Sequence, residues 1–198
     1  MSKRKKTVKG ESVTESKLLK KAILLPDGTM REVLISDVAD VKEILKVHTT
    51  GKLEKFKSKE DLERNEPYEV IETEDNVMLN EGANRLWTLI CGGGGTAYTS
   101  GNARIGVGDS NSAEDPAQTG LLGGNQLYKG MDATYPQYGS ARQAVFRATY
   151  IESEANWHWY EFTVDNGAVA GENINRKVSD LGTKPPTEIW RFTVTLKF

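Results

Sequence analysis

"EIWRFTVTLKF", residues Glu188–Phe198, alternates without a break. Trp190, Phe192, Val194, Leu196 and Phe198 fall on one face, and Arg191, Thr193, Thr195 and Lys197 on the other. Side chains of a strand point to opposite faces with period two, so one face of this strand is predicted buried and the other wet. That half-and-half pattern belongs to antiparallel sheets, because parallel strands are buried on both faces. Upstream, "RQAVFRATYIES" (Arg142–Ser153) repeats the alternation at Ala144, Phe146, Ala148 and Tyr150. "ANWHWYEFTVDNG" (Ala155–Gly167) is aromatic on both faces and ends in Asn166-Gly167, a strong turn signal. "ARIGVG", starting at Ala103, reads as a fourth strand. Antiparallel strands joined by long loops predict a mainly β fold, with an antiparallel β-sandwich or jelly-roll-like C-terminal body.

Working toward the N-terminus, "NVMLNEGANRLWTLICGGGG" predicts a helix opening at Asn80 or Glu81, with Ala83, Leu86, Trp87 and Ile90 on one face. Gly92–Gly95 terminate it. "ETED" (Glu72–Asp75) is an acidic break. Before it, "YEVIE" (Tyr68–Glu72) reads as a strand, and Ser58 as the N-cap of a short helix ending before Pro67. Ser36 is expected to cap a helix running to Lys46, with Val38, Val41, Ile44 and Leu45 at helical spacing. Two apolar runs, Ala22–Leu25 and Val33–Ile35, flank Pro26-Asp27-Gly28 and read as a hairpin. The expected organisation is an extended basic arm (1–21), a small α+β docking module (22–75) and a β-sandwich-like body (76–198).

Charge supports setting the arm apart. Residues 1–21 carry eight Lys/Arg and two acids, leaving 18 of the 26 basic and 26 of the 28 acidic side chains to the rest, a surplus of eight negative charges. A basic arm on an acidic body is expected to dock elsewhere, through Lys3, Arg4, Lys5, Lys6 and Lys9. The arm has no aromatic residues interleaved with its cations, so protein docking is favoured over nucleic-acid binding. It also lacks an apolar stretch behind its positive charges, unlike a secretory signal. No apolar run approaches the roughly 18 residues of a membrane span. Cys91 is the single cysteine, so no disulfide can form within the chain.

The chemical motifs are thin. Gly106-Val-Gly108 at the end of a strand suggests a nucleotide loop, but the third glycine of the dinucleotide fingerprint is missing. No helical stripe follows it, and no Lys-Ser/Thr pair completes a phosphate loop. The stretch from Asp109 to Gln118, including Ser110 and Asp115, reads instead as a contact loop, as does Tyr135–Tyr138. Asp109, Glu114 and Asp115 lack the spacing of a calcium loop. His48 and His158 are the only histidines. Neither lies in a pattern that supplies a nucleophile with its base or completes a zinc site. No cofactor, metal, small-molecule substrate or catalytic residue is expected. "NWHWY" invites a second reading as a glycan-binding module that stacks sugars on Trp157, Trp159 and Tyr160, against which stands a core or interface role for the same rings.

In their order along the chain, "NEGANRLWTLICGGG", "ARIGVGDSNSAEDPAQTGLLG", "KGMDATYPQ", "AVFRATYIESEANWHWYEFTVDNG", "NRKVSDLGTK" and the terminal "WRFTVTLKF" resemble small structural proteins of tailed-bacteriophage virions. The resemblance covers about Asn76 to Phe198. It implies a non-enzymatic, β-rich virion protein, assembled in the host cytoplasm. A capsid decoration (cement) protein bound to the major capsid protein, and to further copies of itself, is expected first. A neck, tail or fibre-base protein touching other virion proteins is the neighbouring alternative.

Overall fold

The computed structural model describes residues 19–24 and 30–35 as backbone, and 47–168 and 171–197 with their side chains. The expected docking cations Lys3, Arg4, Lys5, Lys6 and Lys9, and the expected helix from Ser36, lie outside the described residues. The chain divides into two compact units, between Lys46 and Val47. In the first, β1 (Leu19–Leu24) pairs antiparallel with β2 (Met30–Ile35), as the two apolar runs predict.

The second unit is a β-sandwich. It contains β3 (His48–Phe56), α1 (Lys59–Arg64), β4 (Glu69–Thr73), β5 (Val77–Met78), α2 (Asn80–Ile90) and β6 (Arg104–Gly108). After these come β7 (Gln126–Gly130), β8 (Gln137–Ser140), β9 (Gln143–Tyr150), β10 (His158–Asp165), β11 (Asn175–Thr183) and β12 (Ile189–Lys197). One five-stranded sheet has the order β4-β3-β12-β9-β8 and the other β5-β11-β10-β6-β7. All their pairings are antiparallel.

The C-terminal strand is the centre of its sheet. β12 pairs with β3 from Ile189↔Phe56 to Lys197↔His48, and with β9 from Trp190↔Tyr150 to Lys197↔Gln143. This moves the domain boundary away from residue 75. β3 and β4, read from sequence as part of an N-terminal module, are strands of the sandwich itself. Nothing local to 48–73 shows the partner of β3, which lies more than a hundred residues away.

Phe192, Val194 and Trp190 meet Leu53, Phe146, Ala148 and Tyr150 of their own sheet and Ile105, Val107, Trp159, Phe162 and Val164 of the other. Aromatic edges set the packing: Trp159 lies edge-on to Tyr150 and to Trp190, each at 4.8 Å, and Phe162 to Phe192 at 4.6 Å. Trp159 and Phe162 stand three residues apart yet both face the core, which strict alternation forbids. The β10–β11 ladder is interrupted between Trp159 and Glu161, and the irregularity turns the strand over.

Candidate functional site

Two surfaces qualify, and they differ in kind. The first is the long loop between β6 and β7, the contact loop of the sequence reading. It is sewn to the outer face of β10 and β11 by a buried ion pair. Arg176 Nε donates to Glu161 Oε2 at 2.7 Å, with both side chains fully buried. The Glu161 carboxylate also accepts the backbone N–H groups of Leu122 (3.0 Å) and Gly123 (2.7 Å). Arg176 Nη1 donates to Ser112 O (3.0 Å), Ala113 O (3.3 Å) and Gln118 Oε1 (2.9 Å). Glu114 accepts from Val178 N at 2.7 Å.

Gly108 explains why the nucleotide motif resembles one. A Cβ there would collide with the Glu161 carboxylate, and one on Gly106 with the Tyr128 ring and Thr163. Both glycines make room for side chains from neighbouring strands, not for phosphate. The residues after Gly108 form no helix before β7, so the N–H array of a phosphate loop is absent from this stretch.

The polar residues singled out in this loop are consumed by it. Asp109 accepts from Asn125 N (3.1 Å) and Nδ2 (2.6 Å), and these bonds hold its carboxyl below the usual aspartate range. Ser110 Oγ accepts from Ser112 N, and Asp115 Oδ1 from Ala117 N. Gln118 bridges Asp115 N and Ala113 O while meeting Arg176. These four side chains shape the loop, and what the loop offers outward is mainly backbone and small residues.

The second surface is apolar and was not foreseen as a site. The sequence places Ala83, Leu86, Trp87 and Ile90 on one face of α2, and such a stripe ordinarily faces a core. Instead Trp87 is 66% and Ile90 73% exposed. The helix docks through Gly82, where a Cβ would overlap Asn173 O and Ile174 Cα. Glu81, in its first turn, accepts from Asn173 N and Nδ2 at 2.8 and 2.9 Å. Arg85 grips Glu172, with Nη2 to Oε1 at 2.6 Å, and this bond keeps the Glu172 carboxyl below the usual range. The helix is therefore held by the close approach at Gly82 and by the charged side chains Glu81 and Arg85, which leaves Trp87 and Ile90 outward. Periodicity finds such a stripe but cannot say which way it faces.

Beside this stripe runs an apolar groove of about 650 Å³. Its walls are the β8–β9 hairpin, with Pro136, Tyr138 and Arg142, and the inner residues Phe146, Leu196 and Met78, with Leu86 of α2 at one side. The two aromatic residues picked from sequence divide here. Tyr138 lines the groove and is 79% exposed. Tyr135 is half-buried beneath the Arg147 guanidinium, 4.2 Å from its ring centre.

The aromatic run of β10 is mostly structural. Trp159 is fully buried, with Nε1 donating to Ala155 O at 2.7 Å, so no sugar can reach it. Trp157 packs against the core, and Tyr160 stacks on His158. His158 is tied to Thr183 Oγ1 and Asp180 Oδ1, both at 2.8 Å. Among the described residues no group of three His, Cys, Asp or Glu is placed to hold a metal ion, and no helix is long and apolar enough to cross a membrane. No family model, curated protein or solved structure matches the chain.

Proposed function

We propose that the chain is a non-enzymatic structural protein of a tailed-bacteriophage virion. It acts as a capsid decoration protein that binds the major capsid protein and braces the shell after assembly in the host cytoplasm. The observation that carries this reading is the outward apolar stripe of α2, with Trp87 and Ile90 in solvent. Contiguous exposed apolar surface costs solubility and marks a protein-binding face, and tryptophan is over-represented among residues that dominate such contacts. The order of motifs from Asn76 to Phe198 supports a virion context.

The test is reconstitution. Full-length protein is mixed with particles from which it has been removed, and bound protein is counted after sedimentation. Wild type is expected to rebind and Trp87→Glu with Ile90→Glu to stay in the supernatant, with unchanged melting temperature. Equal rebinding by the variant would sink the assignment of α2 as the docking face. Failure of wild type to rebind would remove the shell as partner, and a neck or tail position would then be the reading to pursue.

A further inference from the structure

The apolar groove is lined from both sheets, by Phe146 of β9 and Leu196 of β12 on one side and by Met78 of β5 and Ile174 just before β11 on the other. Phe146, Ile174 and Leu196 belong to the hydrophobic core, so the groove is where the space between the sheets opens to solvent. Its volume of about 650 Å³ is that of a site for a small molecule. Its polarity is confined to one place. The Tyr98 hydroxyl donates to Glu172 O at 2.9 Å, and the other polar side chains on the walls are Tyr138, Ser140, Arg142 and Gln143, all of the β8–β9 hairpin. Among the side chains described, Arg142 and Lys197 are the two Lys/Arg residues with neither a carboxylate nor a hydrogen-bond partner. Lys197 stands opposite Gln143 in the β9–β12 ladder, so both cations lie at the end of the sheet that borders the groove. Ala141 and Arg142 make the turn from β8 to β9 with φ of 51° and 54°. A two-residue turn with both φ positive favours Asn-Gly, and other side chains adopt that region at a cost. The turn therefore does not explain the arginine.

We propose that the groove binds a single-chain amphiphile with a carboxylate head, of the fatty-acid class. The alkyl chain lies along Phe146, Leu196, Ile174 and Met78, and the Arg142 guanidinium takes the carboxylate in a two-pronged bond. A ligand with one charged end and an otherwise apolar body matches walls that are polar only at the hairpin. A peptide is the poorer occupant, because away from the hairpin its N–H and C=O groups would face apolar side chains that offer them no hydrogen bond. This site is independent of the virion reading, because it needs no particle and uses neither Trp87 nor Ile90.

The test is calorimetric titration of the full-length chain with decanoate, below the concentration at which it forms micelles. Saturable one-to-one binding is expected, tightening about tenfold from decanoate to dodecanoate as two further methylenes leave water. 1-Decanol keeps the chain and lacks the charge, and should bind about tenfold more weakly than decanoate. Arg142→Asn should weaken decanoate to the level of 1-decanol and leave 1-decanol unchanged. The same variant should melt at or above wild type, because asparagine adopts positive φ more readily than arginine. Ala144→Phe, which fills the groove from β9, should weaken both ligands. No saturable binding by wild type, equal affinity for acid and alcohol, or an Arg142→Asn chain that holds decanoate as wild type does would overturn the proposal. So would a dimer in sedimentation velocity that decanoate leaves intact, because a second copy would then be the occupant of the groove.

Discussion

On one side of β10, Phe162 and Val164 lie against the aromatic and aliphatic residues of the facing sheet. On the other side, Glu161, Thr163 and Asp165 are as deeply buried, where Leu122 and Gly123 of the 109–125 loop meet Glu161, Asn173 meets Thr163 and Gly167 meets Asp165. The inner layer is held by apolar area and ring geometry, which tolerate change as long as volume is kept. The outer layer is held by pairing. Glu161 needs Arg176, Asp165 takes a two-pronged bond from Arg104 at 2.9 and 2.6 Å, and Thr163 donates to Asn175 O at 2.5 Å. Two charges taken out of water recover little net stability from each other. What their geometry supplies is position: the loop amides of Leu122 and Gly123 have one place to go. Burial therefore means two things in this molecule, strength on one face and placement on the other.

The largest effect should come from breaking the outer layer on one side only. Arg176→Met leaves Glu161 buried and uncompensated, at a cost of about 3–5 kcal/mol. Hydrogen exchange at Leu122 and Gly123 should accelerate at the same time. Adding Glu161→Gln to it should recover part of the stability while the loop stays loose. Additive losses in the double variant would mean that the pair is not coupled.

Phe192→Ala tests the inner layer. It empties a fully buried site and should cost about 3–5 kcal/mol with no change in loop exchange. Thr193→Ala, on the opposite face, should stay within about 0.5 kcal/mol. Similar losses at the two positions would contradict the one-sided burial of β12.

Gly82→Ala probes how α2 is attached. The added methyl meets backbone at Asn173 and Ile174, so the helix must shift, at about 1–3 kcal/mol. Trp87→Ala, one turn further along, should be nearly silent in denaturant unfolding despite removing the larger side chain. The reverse order would mean that the stripe, not the glycine, holds the helix.

A smaller effect is the response to acid. Burial alone would raise the carboxyl pKa values of Glu54 and Glu188. The bonds to Arg191 and Lys52, and to Lys57, Tyr68 and Trp190, outweigh it and bring both below the ordinary glutamate value. Their stabilisation is complete above that value and is lost as pH falls through the lower folded-state pKa values. Stability should thus be flat at neutral pH and decline in acid, and Glu54→Gln should flatten part of that decline. A variant with the full wild-type slope would exclude Glu54 as a contributor.

The sequence shows the inner layer more clearly than the outer. Alternation in "WRFTVTLKF" and at Phe146, Ala148 and Tyr150 identifies core residues directly, because apolar burial is written into composition. The same alternation places Glu161, Thr163 and Asp165 on a polar face, and polar faces read as wet. That they are roofed depends on a loop more than thirty residues upstream, and no local period carries that. The N-terminal boundary was missed for a related reason, since the partner of β3 is the last strand of the chain. In α2 the stripe was legible but its side was not: Gly82 reads as a helix-weakening residue, whereas its missing Cβ is what lets the helix approach the turn before β11. Gly106 and Gly108 likewise showed a need for space without showing who fills it.

The central claim, a structural role in a virion, is tested most directly by quantitative mass spectrometry of purified particles from cells producing this chain. The chain should copurify with the major capsid protein through a density gradient, in a ratio set by the capsomers of the shell. A ratio matching a single ring would move it to the neck or tail. Its absence from the particle fraction, with the protein left free in the lysate, would contradict the account.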